Sequence, residues 1–172
     1  MADNYLEKKM EDYRRRGGAL QASSAMRRAS SLKTGQVAVT FPRRCVFIST
    51  ATVSPVTSAV VATLRSLGHA VTLNCHTDIA SARGLTRAHG ATFDPSADTE
   101  AAMEADARRR GVAIDARVDI LDDGVRLTLS PSDVPVSHTI DTSLPSQTVA
   151  AAVAFLIHPA AAPLAPLHVR AK

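Results

Sequence analysis

The sequence predicts an α/β domain on a mostly parallel sheet, and three observations carry that reading. Short apolar runs alternate with segments whose apolar residues recur at spacings of three and four, the periods of strands and of amphipathic helices. The helical segments open on Ser or Asp and close on Gly, as capped helices do. The alternation then breaks at Arg117-Val118-Asp119-Ile120-Leu121 and Val125-Arg126-Leu127-Thr128-Leu129, which only Asp122-Asp123-Gly124 separates. A parallel connection needs about a dozen residues or more, so residues 117–129 predict an antiparallel hairpin.

Taken in order, residues 4–16 could form a short polar helix, and Gly17-Gly18 with the Ser/Ala/Arg-rich stretch to Ser31 reads as a linker. The expected organisation is a basic, partly disordered tail over 1–34 and one folded domain over 35–172. Gln36-Val37-Ala38-Val39-Thr40-Phe41 alternates as an edge strand closed by Pro42. A strand over 45–50 feeds a helix with Ser54 as N-cap, Pro55 at its first position and Gly68 past its last turn. Its Val56, Val60, Leu64 and Leu67 make one buried stripe.

Ala70-Val71-Thr72-Leu73-Asn74 is the second strand, followed by a helix from Ile79 to His89 with Asp78 as N-cap and Gly90 as terminator. Ala91-Thr92-Phe93 reads as a third strand. The next helix has Asp98 as cap and Glu100 in its first turn, while Arg108-Arg109-Arg110 complement its carbonyl end before Gly111. This βαβαβα order argues for a parallel sheet covered by helices. Beyond the hairpin, Ser130 to Pro145 holds three prolines and is expected to be irregular. A last helix runs from Gln147 to Ile157 with Ser146 as N-cap, burying Val149, Val153, Leu156 and Ile157, and Leu167-His168-Val169 closes the sheet.

Composition bounds the function. A chain of 172 residues, 45% of them hydrophobic, suits a single core. It has no run near the roughly 20 apolar residues that span a bilayer, and its charged start lacks the apolar stretch of a signal peptide, so no membrane partner and a cytoplasmic location are expected. Cys45 and Cys75 both fall in buried strands, where cysteine packs as a small hydrophobe. The histidines at 69, 76, 89, 138, 158 and 168 are scattered, there is no CxxC, and no metal site is expected. Residues 1–44 carry net charge +6 and the remainder −2, which together make the chain's +4. That basic segment could meet phosphates, but no aromatic stacking residue or binding motif accompanies it, so nucleic acid is not the expected partner.

The junction Cys45-Val46-Phe47-Ile48-Ser49-Thr50-Ala51-Thr52-Val53-Ser54-Pro55-Val56 is an apolar strand ending in small hydroxylated residues before a capped helix, the way a Rossmann-like unit opens. Together with Leu67-Gly68-His69-Ala70-Val71, Val125-Arg126-Leu127-Thr128-Leu129-Ser130-Pro131 and Val149-Ala150-Ala151-Ala152-Val153-Ala154-Phe155-Leu156, it resembles the short-chain dehydrogenase/reductase family in a truncated, degenerate form. The third stretch is similar to that family's "VRVNxxxPG" strand and the fourth to its "VAxAVxFL" helix. The resemblance covers about 45–120 and 124–170, and it implies a truncated Rossmann-like sheet flanked by helices, with NAD or NADP as cofactor.

The diagnostic motifs depart from the family. Its phosphate loop, TGxxxGxG, falls on Ser49 to Val56, with Thr50, Ser54 and Val56 in place of the glycines. Glycines there allow a tight turn and close approach to a pyrophosphate, and a left-handed Thr50 would cost roughly 1 to 2 kcal/mol. The candidate cofactor residues are the hydroxyls of Ser49, Thr50, Thr52 and Ser54 at a helix N-terminus, with Asp78, three residues late, for the ribose. Ile114-Asp115-Ala116-Arg117-Val118-Asp119-Ile120 stands where the family has NNAG.

The family's catalytic serine and YxxxK pair would lie between Leu121 and Gly124, where two aspartates alone remain, so no catalytic residue is assigned. The lone YxxxK string, Tyr5-Leu6-Glu7-Lys8-Lys9, precedes the first strand. Ser49 and Ser54 lack a GxSxG elbow, and Asp119, Asp122 and Asp123 read as a solvated hairpin tip rather than a cation site. The expected function is a short-chain-dehydrogenase-like pseudoenzyme, a binding or assembly module without oxidoreductase activity. The alternative is a minimal NAD(P)-dependent oxidoreductase acting on an alcohol or carbonyl. Removing helices from one sheet face should expose apolar strand surface, to be covered by a partner or by the Pro/Ala-rich C-terminus, and a homo-oligomer is the expected cover.

Overall fold

The structure is a computed structural model that describes residues 42–130, 136–161 and 168–170. The chain divides into Met1–Thr40 and Phe41–Lys172, and the description concerns the second unit. The expected helix over 4–16, the linker and the strand over 36–41 lie outside the described residues.

Strand β1 (Cys45–Thr50) leads to helix α1 (Pro55–Ser66), then β2 (Ala70–Asn74), α2 (Ile79–His89), β3 (Thr92–Asp94) and α3 (Thr99–Arg110). Next come β4 (Ala116–Ile120), β5 (Val125–Leu129), β6 (Val136–Ile140), helix α4 (Ser146–Ile157), a 3-10 turn at Pro159–Ala161 and β7 (His168–Val169). The seven strands form one sheet in the order β3-β2-β1-β4-β5-β6-β7. β3, β2, β1 and β4 pair in parallel, β5 is antiparallel to both neighbours, and β7 is parallel to β6. The α/β class, the Rossmann-like order and the hairpin at 117–129 are therefore as expected.

The caps explain the helix boundaries. Ser54 Oγ accepts from the Thr57 amide at 3.1 Å while the Ser54 amide donates to Thr57 Oγ1 at 3.3 Å, a reciprocal capping box. Asp98 accepts from the Ala101 amide at 3.0 Å. Gly90 and Gly111 end α2 and α3 in the left-handed region, at φ 64 and 68, where a β-carbon would be strained.

Three expectations need correction. Ser130 to Pro145 is not irregular throughout, because Val136–Ile140 pairs with β5 in register, Leu127 opposite His138 and Val125 opposite Ile140. Val136–Ile140 contains no proline, so no ladder donor is missing from it. Ser146 is not the N-cap of α4; Pro145 holds that position without a side-chain cap bond. The third and fourth strands are each offset by one residue, as Thr92–Asp94 and Ala116–Ile120.

One sheet face carries the main core. Val46, Ile48, Val71, Leu73, Val118, Val125, Leu127 and Ile140 cluster with Val60 and Leu64 of α1, Ala82 of α2 and Val149, Val153 and Leu156 of α4. On the other face, α3 packs Ala102 on Phe47 and Ile114. Beneath α3, Asp106, 1% exposed, accepts from Thr72 Oγ1 at 2.7 Å and from Arg110 Nε at 2.9 Å, and pairs with Arg109 at 3.3 Å. Arg109 and Arg110 are thus held by a buried carboxylate, a firmer role than the complement to carbonyl groups read from the sequence.

Alternation along β4 to β6 sends Arg117, Asp119, Arg126, Thr128, Ser137 and Thr139 to the face away from α1 and α4. All six are half-buried or exposed. The uncovered strand surface is therefore polar, not apolar, and the ground given above for self-association does not hold.

Candidate functional site

β1 and β4 are neighbours, yet the chain leaves β1 toward β2 on its other side, so the strand order reverses between them. In open α/β sheets the crevice at the carboxyl ends of such strands is the usual ligand site. A cleft of about 580 Å³ opens there. It is lined by Ser49, Thr50, Ala51, Thr52, Ser54 and Val56 on the β1 side, and by Arg117, Asp119, Asp122 and Arg126 on the hairpin side.

The structure thus brings four of the five sequence-predicted residues, Ser49, Thr50, Thr52 and Ser54, to one cleft, and leaves Asp78 off its wall. Their groups are largely engaged with one another. Thr50 Oγ1 donates to the Thr52 carbonyl at 2.8 Å, and Ser54 is closed in its box with Thr57. The Val53 amide donates to Asp78 Oδ2 at 3.3 Å, and Asp78 Oδ1 accepts from the Ser81 amide at 3.4 Å as the cap of α2. The Ala51 carbonyl accepts from Thr77 Oγ1 and from Cys75 Sγ. Among the described residues, the hydroxyls of Ser49 and Thr52 have no hydrogen-bond partner.

A pyrophosphate does not fit this loop in the way a glycine-rich turn holds one. The amide of Val53 is turned to Asp78, and Thr50 and Val56 carry side chains on the cleft wall where a glycine-rich turn would carry none. No residue other than glycine has a positive φ among the described residues, so Thr50 makes the turn without the left-handed strain considered above. Asp78 is held below the ordinary carboxylate range by hydrogen bonds from Ser81 and, more weakly, from the Val53 amide. A carboxylate so engaged is poorly placed to read a ribose hydroxyl.

The cleft also contains charges that the motif comparison did not assign to it. Arg117 Nε donates to Asp119 Oδ1 at 2.8 Å, and its Nη1 pairs with Glu100 of α3. Arg126 lies opposite Asp119 in the β4–β5 register and makes no ion pair among the described residues. The alternation of β4 and β5 was the available signal, since it places Arg117, Asp119 and Arg126 on one face. Among the described residues no group of His, Cys, Asp and Glu could hold a metal ion. Both cysteines are free, Cys75 buried and Cys45 half-buried.

The titratable cluster lies at the opposite end of β1. The Arg44 amide donates to His69 Nδ1 at 3.2 Å, Arg44 pairs with Asp115 at 3.2 Å, and Asp115 Oδ2 accepts from the Cys45 amide at 2.7 Å. Burial, then the Arg44 charge and a smaller effect of His158, push His69 below its ordinary pKa, against the pull of Asp115. These groups fasten the start of β1 to β2 and β4. No helix among the described residues is long and apolar enough to cross a membrane. Compared with known proteins, the chain matches no family model, no curated protein and no solved structure.

Proposed function

We propose that this chain is a short-chain-dehydrogenase-like domain that has lost oxidoreductase chemistry and acts as a binding or assembly module. The observation that supports this reading is the closed β1–α1 loop, in which Thr50, Val53 and Ser54 bond to Thr52, Asp78 and Thr57 rather than facing a ligand. A second support is the hairpin itself, which leaves Leu121 bonded to Gly124 where a catalytic segment would have to be inserted. A cytoplasmic setting goes with this reading, because free cysteines suit a reducing compartment.

The test is calorimetric titration of the folded protein with NADH and NADPH. No saturable heat at millimolar cofactor is the expected result. Micromolar binding together with turnover of an alcohol or carbonyl would overturn the proposal.

One observation favours the alternative, a minimal NAD(P)-dependent oxidoreductase: the cleft lies at the strand-order reversal and offers the Ser49 and Thr52 hydroxyls to it. An assembly role would be read by light scattering, where a concentration-independent monomer mass would remove self-association from the proposal.

A further inference from the structure

A second groove, of about 570 Å³, runs along the polar sheet face beside α3. One wall is apolar: Met103 and Ala107, a turn apart on α3, with Ile114 below them. The other wall is a row of donors. Arg126, Thr128 and Ser130 are at alternate positions and so project to one side, and the Ser130 amide, bonded to the Asp115 carbonyl at 2.9 Å, continues the ladder past the end of β5. A groove of this size with an apolar wall facing a few convergent polar groups has the form of a small-molecule site.

The charges in the groove select among anions. Arg117 is already paired with Asp119 and Glu100, and Glu104 on the rim pairs with Arg108 at 3.8 Å. Arg126 is the cation in the groove that the protein leaves without a carboxylate among the described residues. One guanidinium without an ion pair, in a groove that also holds Asp119 and Glu104, suits a monoanion and disfavours a phosphate dianion, and its planar fork matches a carboxylate bidentately.

We propose that this groove binds a monocarboxylate with an apolar body, such as a medium-chain fatty acid or an aryl alkanoate. The carboxylate sits on Arg126 with Thr128 and Ser130 beside it, and the apolar body lies on Met103, Ala107 and Ile114. Arg117, Asp119 and Arg126 line both this groove and the cleft at the strand-order reversal, whereas Met103, Ala107 and Ile114 line only the groove, so the Met103 variant distinguishes this site from a dinucleotide site in the cleft.

The experiment titrates the full chain with decanoate, decanol and inorganic phosphate by calorimetry. Decanoate should saturate, and decanol and phosphate should not. Arg126→Gln should weaken decanoate by about tenfold or more, the loss of a charge-assisted hydrogen bond, with the unfolding midpoint unchanged because the side chain is exposed. Met103→Gln should weaken it as well, through the apolar wall. Decanoate that fails to saturate at millimolar concentration, decanol or phosphate binding as tightly as decanoate, or decanoate affinity indifferent to Arg126→Gln would each overturn the proposal.

Discussion

At the scale of single residues, the strongest constraints are polar groups removed from water. Asp106 is enclosed by Thr72, Arg109 and Arg110, so deleting its carboxylate leaves cationic and hydroxyl donors facing a void. Asp106→Ala should destabilise the fold by about 3 kcal/mol, the scale of breaking a buried pair, measured by denaturant unfolding. His69 and His138, at 3% and 0% exposure, are both held below the ordinary value of 6.5 by burial. The folded state therefore binds fewer protons than the unfolded one as pH falls. Stability should be fully present above 6.5 and should decline below it toward the folded-state pKa values, by at most about 1.4 kcal/mol per pH unit for each histidine. Unfolding midpoints that do not move between neutral and mildly acidic pH would contradict this.

At the scale of elements, local chemistry was legible in the sequence and lateral chemistry was not. Ser54, Asp78, Asp98, Gly90 and Gly111 mark helix ends because a cap is made within a few residues of the chain. β6 was hidden because Pro135 and Pro145 flank it, and a proline outside a strand looks in sequence like one that breaks it. The partners of Asp106 were hidden for a different reason, since Thr72 is 34 residues away and only the seating of α3 on β2 brings them together. The candidate cleft was half legible: the hydroxyls of β1 and its loop could be named from the junction, whereas Arg117 and Arg126 needed the antiparallel register. Asp78 joins two elements, capping α2 while holding the loop before α1, so Asp78→Ala should lower the melting temperature through both. Its pKa is depressed in the folded state, so its contribution is present above the ordinary carboxylate range and lost as pH falls through the folded value. The gap in melting temperature between variant and parent should therefore close in acid, and a gap that persists there would show that the carboxylate charge is not what matters.

At the scale of the whole molecule, the sheet is two constructions side by side. β3, β2, β1 and β4 are joined by helical crossovers, with β1 pairing β4 across some seventy positions of chain, Val46 opposite Ala116. β4, β5 and β6 form a meander whose links are short, with Ile120 facing Val125 across the first turn. Closing short loops precedes closing long ones, because the entropy lost grows with the chain enclosed. The meander should accordingly assemble first and offer β4 as the template on which β1 docks. In a pulsed hydrogen-exchange experiment during refolding, amides of Asp119, Leu127 and Ile140, which bond within the meander, should gain protection before those of Ile48 and Leu73. The three residues between Leu121 and Val125 thus set a tempo as well as a shape: by keeping β4 and β5 neighbours in the chain they make the C-terminal half of the sheet a nucleus.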